Sequence, residues 1–298
     1  MNLLVCVDDT DDLTKSISTG AIVQKIAKEY QALGAKMDEG ISRHQLLLSA
    51  QVEYTSHNSS MCASFALDGV SKDELIRIAE DIINEFKAGP ADPGLAFCWL
   101  DELEHPLELI EYGFKAKQVV ITKDEAYAFA ERDKGLFLEE LGGTGIGVIG
   151  ALAGLGLRLS RCDGTIRGKT GAKIAGETFS ATDMMLQIKV KAILDEHGHI
   201  IPDDAQTYVA DMVKRSYWDG RLVAWSKLCK DGRYELCGNH EVTEEYIFAQ
   251  GSDCEFFEWD NDDEEMKDTN HRSCVNCLYR RWLAEGYRCV KEISPFED

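Results

Sequence analysis

The chain predicts an α+β protein, with an N-terminal mixed α/β domain followed by a smaller β-rich α+β domain. Three observations predict this. Leu3-Leu4-Val5-Cys6-Val7 is an unbroken apolar run that meets Asp8-Asp9-Thr10-Asp11-Asp12, the pattern of a strand buried on both faces with carboxylates at its tip. Helix-spaced segments then alternate with short apolar runs as far as residue 165. Beyond that point alternating, turn-bounded segments take over, as in β-rich structure. The expected domains are therefore 1–165 and 166–298, the second with a Cys-rich C-terminal part.

Composition narrows the function classes. The 298 residues are 44% apolar and 29% charged, which fits a globular chain. No apolar run approaches the roughly 20 residues of a membrane span. The N-terminus lacks a basic region, so no signal peptide is expected, and the expectation is a cytoplasmic protein without a membrane partner. Ten Cys in such a chain point to thiols or metal ligands rather than disulfides. The net charge of −21, from 32 basic and 53 acidic residues, opposes broad binding to a phosphate backbone. Arg158, Arg161, Arg167, Lys169 and Lys173 form one basic stretch, and Arg280, Arg281 and Arg288 another.

Taken in order, the first strand ends in crowded like charges, which a cation or protons must relieve. Mg2+ suits such a tip, because it takes one or two carboxylates plus phosphate oxygens and water. A solvated acidic turn is the simpler alternative. Ser18 and Thr19 follow, then Ile22, Ile26, Tyr30 and Leu33 at helical spacing. Ser18 fits an N-cap and Gly34 a stop. The helix start would direct N–H groups at an anion.

Ser42–Ser49 and Ala50–Tyr54 read as extended, with His44 a satisfied, half-buried histidine. The polar patch Thr55–Ser60 includes His57 and Asn58, suited to phosphate or ribose contacts or simply to a turn. Met61–Leu67 is a strand. Ser71 caps a helix running to Phe86, with Leu75, Ile78, Ala79 and Ile82 on one face. Gly89-Pro90-Ala91-Asp92-Pro93-Gly94 breaks the chain before a buried strand at Leu95–Leu100. Helices are expected around Pro106–Gly113 and Thr122–Lys134, where Thr122 and Glu125 form a capping box. Lys117–Ile121 between them fits either a strand or a helix end.

Gly145, Gly147 and Gly150 formally spell a dinucleotide fingerprint. Leu136–Leu141 before them is poor as a buried strand, and there is no βαβ unit with an acidic residue about 20 positions on, so that reading is set aside. Two readings stay open: backbone approach to a phosphate at a helix start, or a Gly- and Ala-rich core helix. In the second half, Gln187–Leu194 alternates like a half-buried strand and Asp195–Gly198 turns. Ala205–Lys214 reads as a short helix. Leu222–Leu228 and Tyr234–Cys237 flank Asp231-Gly232 as a hairpin. Cys237, His240, Cys274 and Cys277 have the spacing of a zinc site, against reduced, partly buried thiols. Between these pairs, Asp253–Asp268 holds nine acids and one Lys, a solvated stretch.

The order of Asp8-Asp9-Thr10-Asp11, the Ser18-Thr19 hydroxyl pair, the Pro93-Gly94 strand start and Gly147-Val148-Ile149-Gly150-Ala151-Leu152-Ala153 resembles the kinase-like catalytic domain of archaeal tRNA-isoleucine agmatidine synthetase. The resemblance covers roughly the first 165 residues. That family uses ATP and Mg2+ to phosphorylate carbon 2 of a cytosine, and agmatine displaces the phosphate. The resemblance implies that Asp8, Asp9 and Asp11 hold Mg2+ and the ATP phosphates. It places Ser18, with Thr19 beside it, where the family has a phosphate-accepting Thr. Thr10, His57, Asn58, Gly145, Gly147 and Gly150 would line the nucleotide site. The family's basic loop reads Thr55-Ser56-His57-Asn58 here, and its RNA-binding modules are not recognisable.

The expected function is that of an ATP- and Mg2+-dependent phosphotransferase or ligase-like enzyme related to agmatidine synthetase. It would act on a nucleotide or small metabolite, with whole-tRNA binding doubtful on charge. Two alternatives stand beside it. One is a haloacid-dehalogenase-type phosphatase, with Asp9 as nucleophile and Asp11 as acid. The other is a non-catalytic nucleotide-binding sensor.

Overall fold

The structure, a computed structural model, describes residues 1–11, 17–47, 52, 58–237, 280–283 and 286–289, the last two spans as backbone. The chain divides into two compact units, Met1–Arg167 and Gly168–Asp298.

In the first unit the opening apolar run is strand β1 (Asn2–Asp8), followed by helix α1 (Thr19–Ala32) and strands β2 (Lys36–Gln45) and β3 (Ser59–Ala66). Helix α2 (Lys72–Phe86), strand β4 (Gly94–Trp99) and helices α3 (Pro106–Lys115) and α4 (Lys123–Ala130) come next. Strand β5 (Leu136–Glu140), helix α5 (Gly147–Ser160) and strand β6 (Thr165–Ile166) complete the unit. The strands form a sheet in the order β5-β4-β1-β3-β2-β6, with every neighbouring pair antiparallel.

Strand β1 lies inside this sheet, and its period-2 alternation feeds two cores. Leu3, Val5 and Val7 pack with Ile22, Ile26 and Tyr30 of α1 and Leu75, Ala79 and Ile83 of α2. Leu4 and Cys6 pack with Leu109 of α3 and with Ala151, Leu152 and Leu155 of α5 on the other face. An antiparallel sheet usually leaves one face to water; helices cover both faces here, which is why the run is continuously apolar.

Local signals account for the helix starts. Ser18 Oγ accepts from Ala21 N at 3.2 Å, and Ser71 Oγ from Glu74 N at 3.2 Å. Thr122 and Glu125 complete the capping box of α4. Asp133 is buried and accepts from the N–H groups of Glu104, His105 and Gly135 at 2.9, 2.8 and 2.9 Å. Those bonds fix the approach to α3.

Leu136–Glu140, poor in composition as a buried strand, is a strand beyond β4 with every residue half-buried. Of the two readings of Lys117–Ile121, the helix end holds: the stretch turns off the end of α3. Other expectations are corrected. Strand β2 begins at Lys36, six residues before the expected start, and its register with β3 shifts between Asp38 and Ser42. His44 is fully buried rather than half-buried. The stretches 48–51 and 53–57 lie outside the described residues.

In the second unit, strand β7 (Thr178–Ser180), helix α6 (Ala181–Ile188), strand β8 (Ala192–Leu194) and strand β9 (Gln206–Val209) precede strands β10 (Ser216–Trp218), β11 (Arg221–Leu228) and β12 (Tyr234–Cys237). The order runs β10-β11-β12-β9-β7, with β8 parallel to β11. The hairpin about Asp231-Gly232 forms as expected. Gln187–Leu194 is not one strand: Gln187 and Ile188 end α6, Lys189 turns left-handed at φ 58°, and only Ala192–Leu194 extends. Ala205–Lys214 is not a helix, because Gln206–Val209 pairs with β12 and β7. Strands β13 (Arg280–Leu283) and β14 (Gly286–Cys289) pair antiparallel. Among the described residues no helix is long and apolar enough to cross a membrane.

Candidate functional site

Asp8 ends β1, paired with Gly94 at the start of β4, and Asp9 turns the chain out of the sheet in the left-handed region at φ 54°. A non-glycine residue there is uncommon, although Asp tolerates it better than most. The turn leaves Asp8, Asp9 and Asp11 in the lining of a cavity of about 470 Å³. Thr19 from α1, Asn58 before β3, and Gly147 and Gly150 from α5 also line it. Aliphatic side chains complete it: Leu46, Ala116, Val119, Ile121 and Ile149.

The carboxylates are crowded and partly dry. Burial, with the charges of Asp9 and Asp11 behind it, pushes Asp8 well above the ordinary carboxylate range, against one hydrogen bond from Asp9 N at 3.0 Å. Burial and the charges of Asp92 and Asp11 push Asp9 up to about 6. A group of acids that resists ionisation is one that a cation would relieve. Among the described residues no three His, Cys, Asp or Glu side chains converge to enclose a metal. Hard carboxylate oxygens beside a cavity are a donor set that fits Mg2+, which takes one or two carboxylates and keeps water and phosphate oxygens in its shell.

The remaining expected residues divide. Thr10 is fully buried; its Oγ1 donates to Thr19 Oγ1 at 3.0 Å, so it braces Thr19 from behind. Ser18 is exposed, caps α1 and does not line the cavity, whereas Thr19 does. Asn58 lines the cavity, but its Nδ2 is committed to Leu47 O at 2.7 Å. Gly145 is turned towards Glu140 and not into the cavity. His57, His240, Cys274 and Cys277 lie outside the described residues. Cys237 closes β12 half-buried, its thiol raised by burial.

The start of α5 differs from the expectation of free N–H donors. Gly145 N bonds to Gly142 O at 3.1 Å, Gly147 N to Asp92 O at 3.1 Å and Ile149 N to Ile146 O at 3.1 Å. These donors are spent within the chain. The glycines serve close approach instead: at Gly147 and Gly94 two backbones touch, and at Gly150 the Asp8 carboxylate fits where a side chain would be. Both open readings of this segment meet here, since α5 is a buried core helix whose first turn also lines the cavity.

Sequence reasoning missed the aliphatic lining, whose residues Leu46, Ala116, Val119, Ile121 and Ile149 come from three separate stretches. It also missed Asp92, whose charge bears on Asp9 and whose Oδ1 accepts from Thr144 N. Its one visible signal was an acid inside the Pro- and Gly-rich break.

No known family model matches the chain, and no curated protein does. Solved structures do. The chain resembles tRNA-isoleucine agmatidine synthetase. The ligand-free form of that enzyme is 21% identical with a TM-score of 0.46, over 68% of this chain and 49% of that one. Its complex with tRNA and ATP is 21% identical with a TM-score of 0.47, over 68% and 50%. A tRNA fluorescent labelling enzyme is 22% identical with a TM-score of 0.44, over 52% and 36%. The chain spans about half the length of the agmatidine synthetase structures.

The expectation that whole-tRNA binding is doubtful is corrected by these neighbours, which include a tRNA complex and a tRNA labelling enzyme. Net charge is a poor guide because phosphate binding depends on local patches. The acids of this chain are unevenly spread: nine lie within 253–268, whereas 168–237 holds ten Lys or Arg and ten Asp or Glu.

Proposed function

We propose that the first unit is an ATP- and Mg2+-dependent phosphoryl-transfer module acting in nucleic-acid modification. The observation that carries this is the convergence of Asp8, Asp9, Asp11 and Thr19 on a cavity otherwise lined largely by aliphatic side chains. A polyphosphate and a flat heterocyclic base need those two kinds of lining. Mg2+ held there would supply Lewis-acid neutralisation of phosphate charge. Asp8, fixed by its place in the sheet, and Asp9, aimed by its turn, would hold the ion. Asp11 would complete the acidic wall, and Thr19, braced by Thr10, would offer a hydroxyl to phosphate. Ser18 is the exposed hydroxyl at the helix start, and phosphate acceptance falls to it or to Thr19.

The test is equilibrium binding of ATP to the full chain with and without Mg2+, followed by mass spectrometry of the 16–19 peptide. Binding that needs Mg2+ and is lost in Asp9→Asn is the expected result. Isoleucine tRNA is the first acceptor to assay, with free cytidine nucleotides beside it. No ATP binding at millimolar Mg2+, or binding indifferent to both the metal and Asp9→Asn, would overturn the reading. The zinc site at Cys237, His240, Cys274 and Cys277 is a separate proposal, tested by metal analysis of the purified chain. Less than one zinc per several chains would dismiss it.

A further inference from the structure

We propose that Asp92 and Lys123 are positioning residues that clamp the main chain of Thr144 from two sides and so hold the 142–147 loop at the rim of the cavity. This rests on the function proposed above and deepens it. Thr144 N donates to Asp92 Oδ1, and Thr144 O accepts from Lys123 Nζ at 2.9 Å. Thr144 is exposed and lines the cavity together with Asp9 and Asp11.

The loop needs such a clamp. Gly142, Gly143 and Gly145 surround Thr144 with φ of 154°, 57° and 74°, and glycine-rich chain loses the most freedom on being fixed. Charged partners give the strongest single hydrogen bonds available for that task. Neither partner's position is explained by its own surroundings. Lys123 is the first residue of α4, where a cation faces the positive end of the helix dipole. Its reach to Thr144 O and to Glu140 Oε2, each at 2.9 Å, accounts for it. Asp92 adds negative charge beside Asp9, and its bond to Thr144 is what it supplies in return. Asp92 is itself anchored, because its carbonyl accepts from Gly147 N at 3.1 Å. Its carboxylate leaves no room for a side chain on Gly143.

The test compares the full-length wild type with Asp92→Ala, Asp92→Asn and Lys123→Ala by amide hydrogen exchange over 143–147 and by Mg2+-ATP binding. Loss of one clamp should speed exchange in that segment and weaken ATP binding, each about tenfold. Asp92→Asn keeps an acceptor oxygen but loses the charge, and should fall between wild type and Asp92→Ala. Exchange in both Ala variants at the wild-type rate, or Asp92→Asn as impaired as Asp92→Ala, would overturn the proposal. Lys123→Ala changes a surface side chain and decides the matter if Asp92→Ala does not fold. Should the wild type bind no ATP, the proposed function falls, while the exchange rates still decide the clamp.

Discussion

The Asp8 carboxylate fills the space where a Cβ on Gly150 would stand. Strand tip and helix are therefore fitted to each other at a buried carboxyl group. Gly150→Ala should lower stability by about 1–3 kcal/mol through overpacking, even though Ala favours a helix interior by about 1 kcal/mol. Urea unfolding of the variant measures it, and a stabilised variant would show that Asp8 is free to move away.

Asp9 titrates in the folded chain at about 6, against an ordinary 3.8. Between those values the folded chain holds a proton that the unfolded chain releases. Stability therefore falls as pH rises through the window, and stays low above it. Asp9→Asn should raise the melting temperature by a few degrees at pH 8 and leave it unchanged at pH 4. Mg2+ should stabilise the wild type at pH 8 and have less effect on the variant; scanning calorimetry at both pH values checks this.

His44 is wholly buried, with Ser42 Oγ 2.7 Å from Nε2 and Asp163 Oδ1 3.0 Å from Nδ1. Lys117 Nζ pairs with the other oxygen of Asp163 and donates to Gln45 O at 2.8 Å. Burial pushes Asp163 up, but the His44 and Lys117 contacts outweigh it and hold the carboxyl below its usual value. Asp163→Ala leaves the buried His44 Nδ1 without its partner and removes the counter-charge of Lys117, and should cost about 2–4 kcal/mol in urea unfolding at neutral pH.

The same ring gives a pH signature. Burial lowers the His44 pKa against the opposing pull of Asp163, so the unfolded chain takes up a proton that the folded ring refuses. This contribution to stability is present above the ordinary value of 6.5 and is lost as pH falls below it. His44→Gln should flatten the decline in melting temperature between pH 7.5 and pH 5.5. An unchanged slope would place the acid sensitivity elsewhere.

Burial first, then the neighbouring Glu80 of α2, raises Glu139 of β5 to about 7. Glu139 therefore holds a proton in the folded chain up to about neutral pH, and stability is lost as pH rises through that value. Glu139→Gln should melt a few degrees above wild type at pH 8.5 and level with it at pH 5.

Elements decided by neighbouring residues were legible in the sequence. The apolar run of β1, the Ser18 and Ser71 caps, the Thr122–Glu125 box and the Asp231-Gly232 hairpin all formed where the pattern placed them. The failures lay where two periods fit one stretch. Gln206–Val209 could read as helix, but Thr207 and Val209 are both fully buried on one side of a strand. The alternation after Gln187 hid a helix that starts at the Ser180 cap and ends at left-handed Lys189. The acidic wall was visible because its members are consecutive. The aliphatic wall was not, because Leu46, Ala116, Val119, Ile121 and Ile149 become neighbours only after folding.

The contact of Gly94 with Gly147 has a practical consequence. A Cβ on either glycine would collide with the other's main chain, so the acid-bearing side of the cavity is welded shut at that point. Attempts to retarget this pocket by directed evolution should freeze positions 94, 147 and 150 as wild type. Diversity belongs on Leu46, Val119 and Ile149, where a new side chain alters the shape of the guest without dismantling the host.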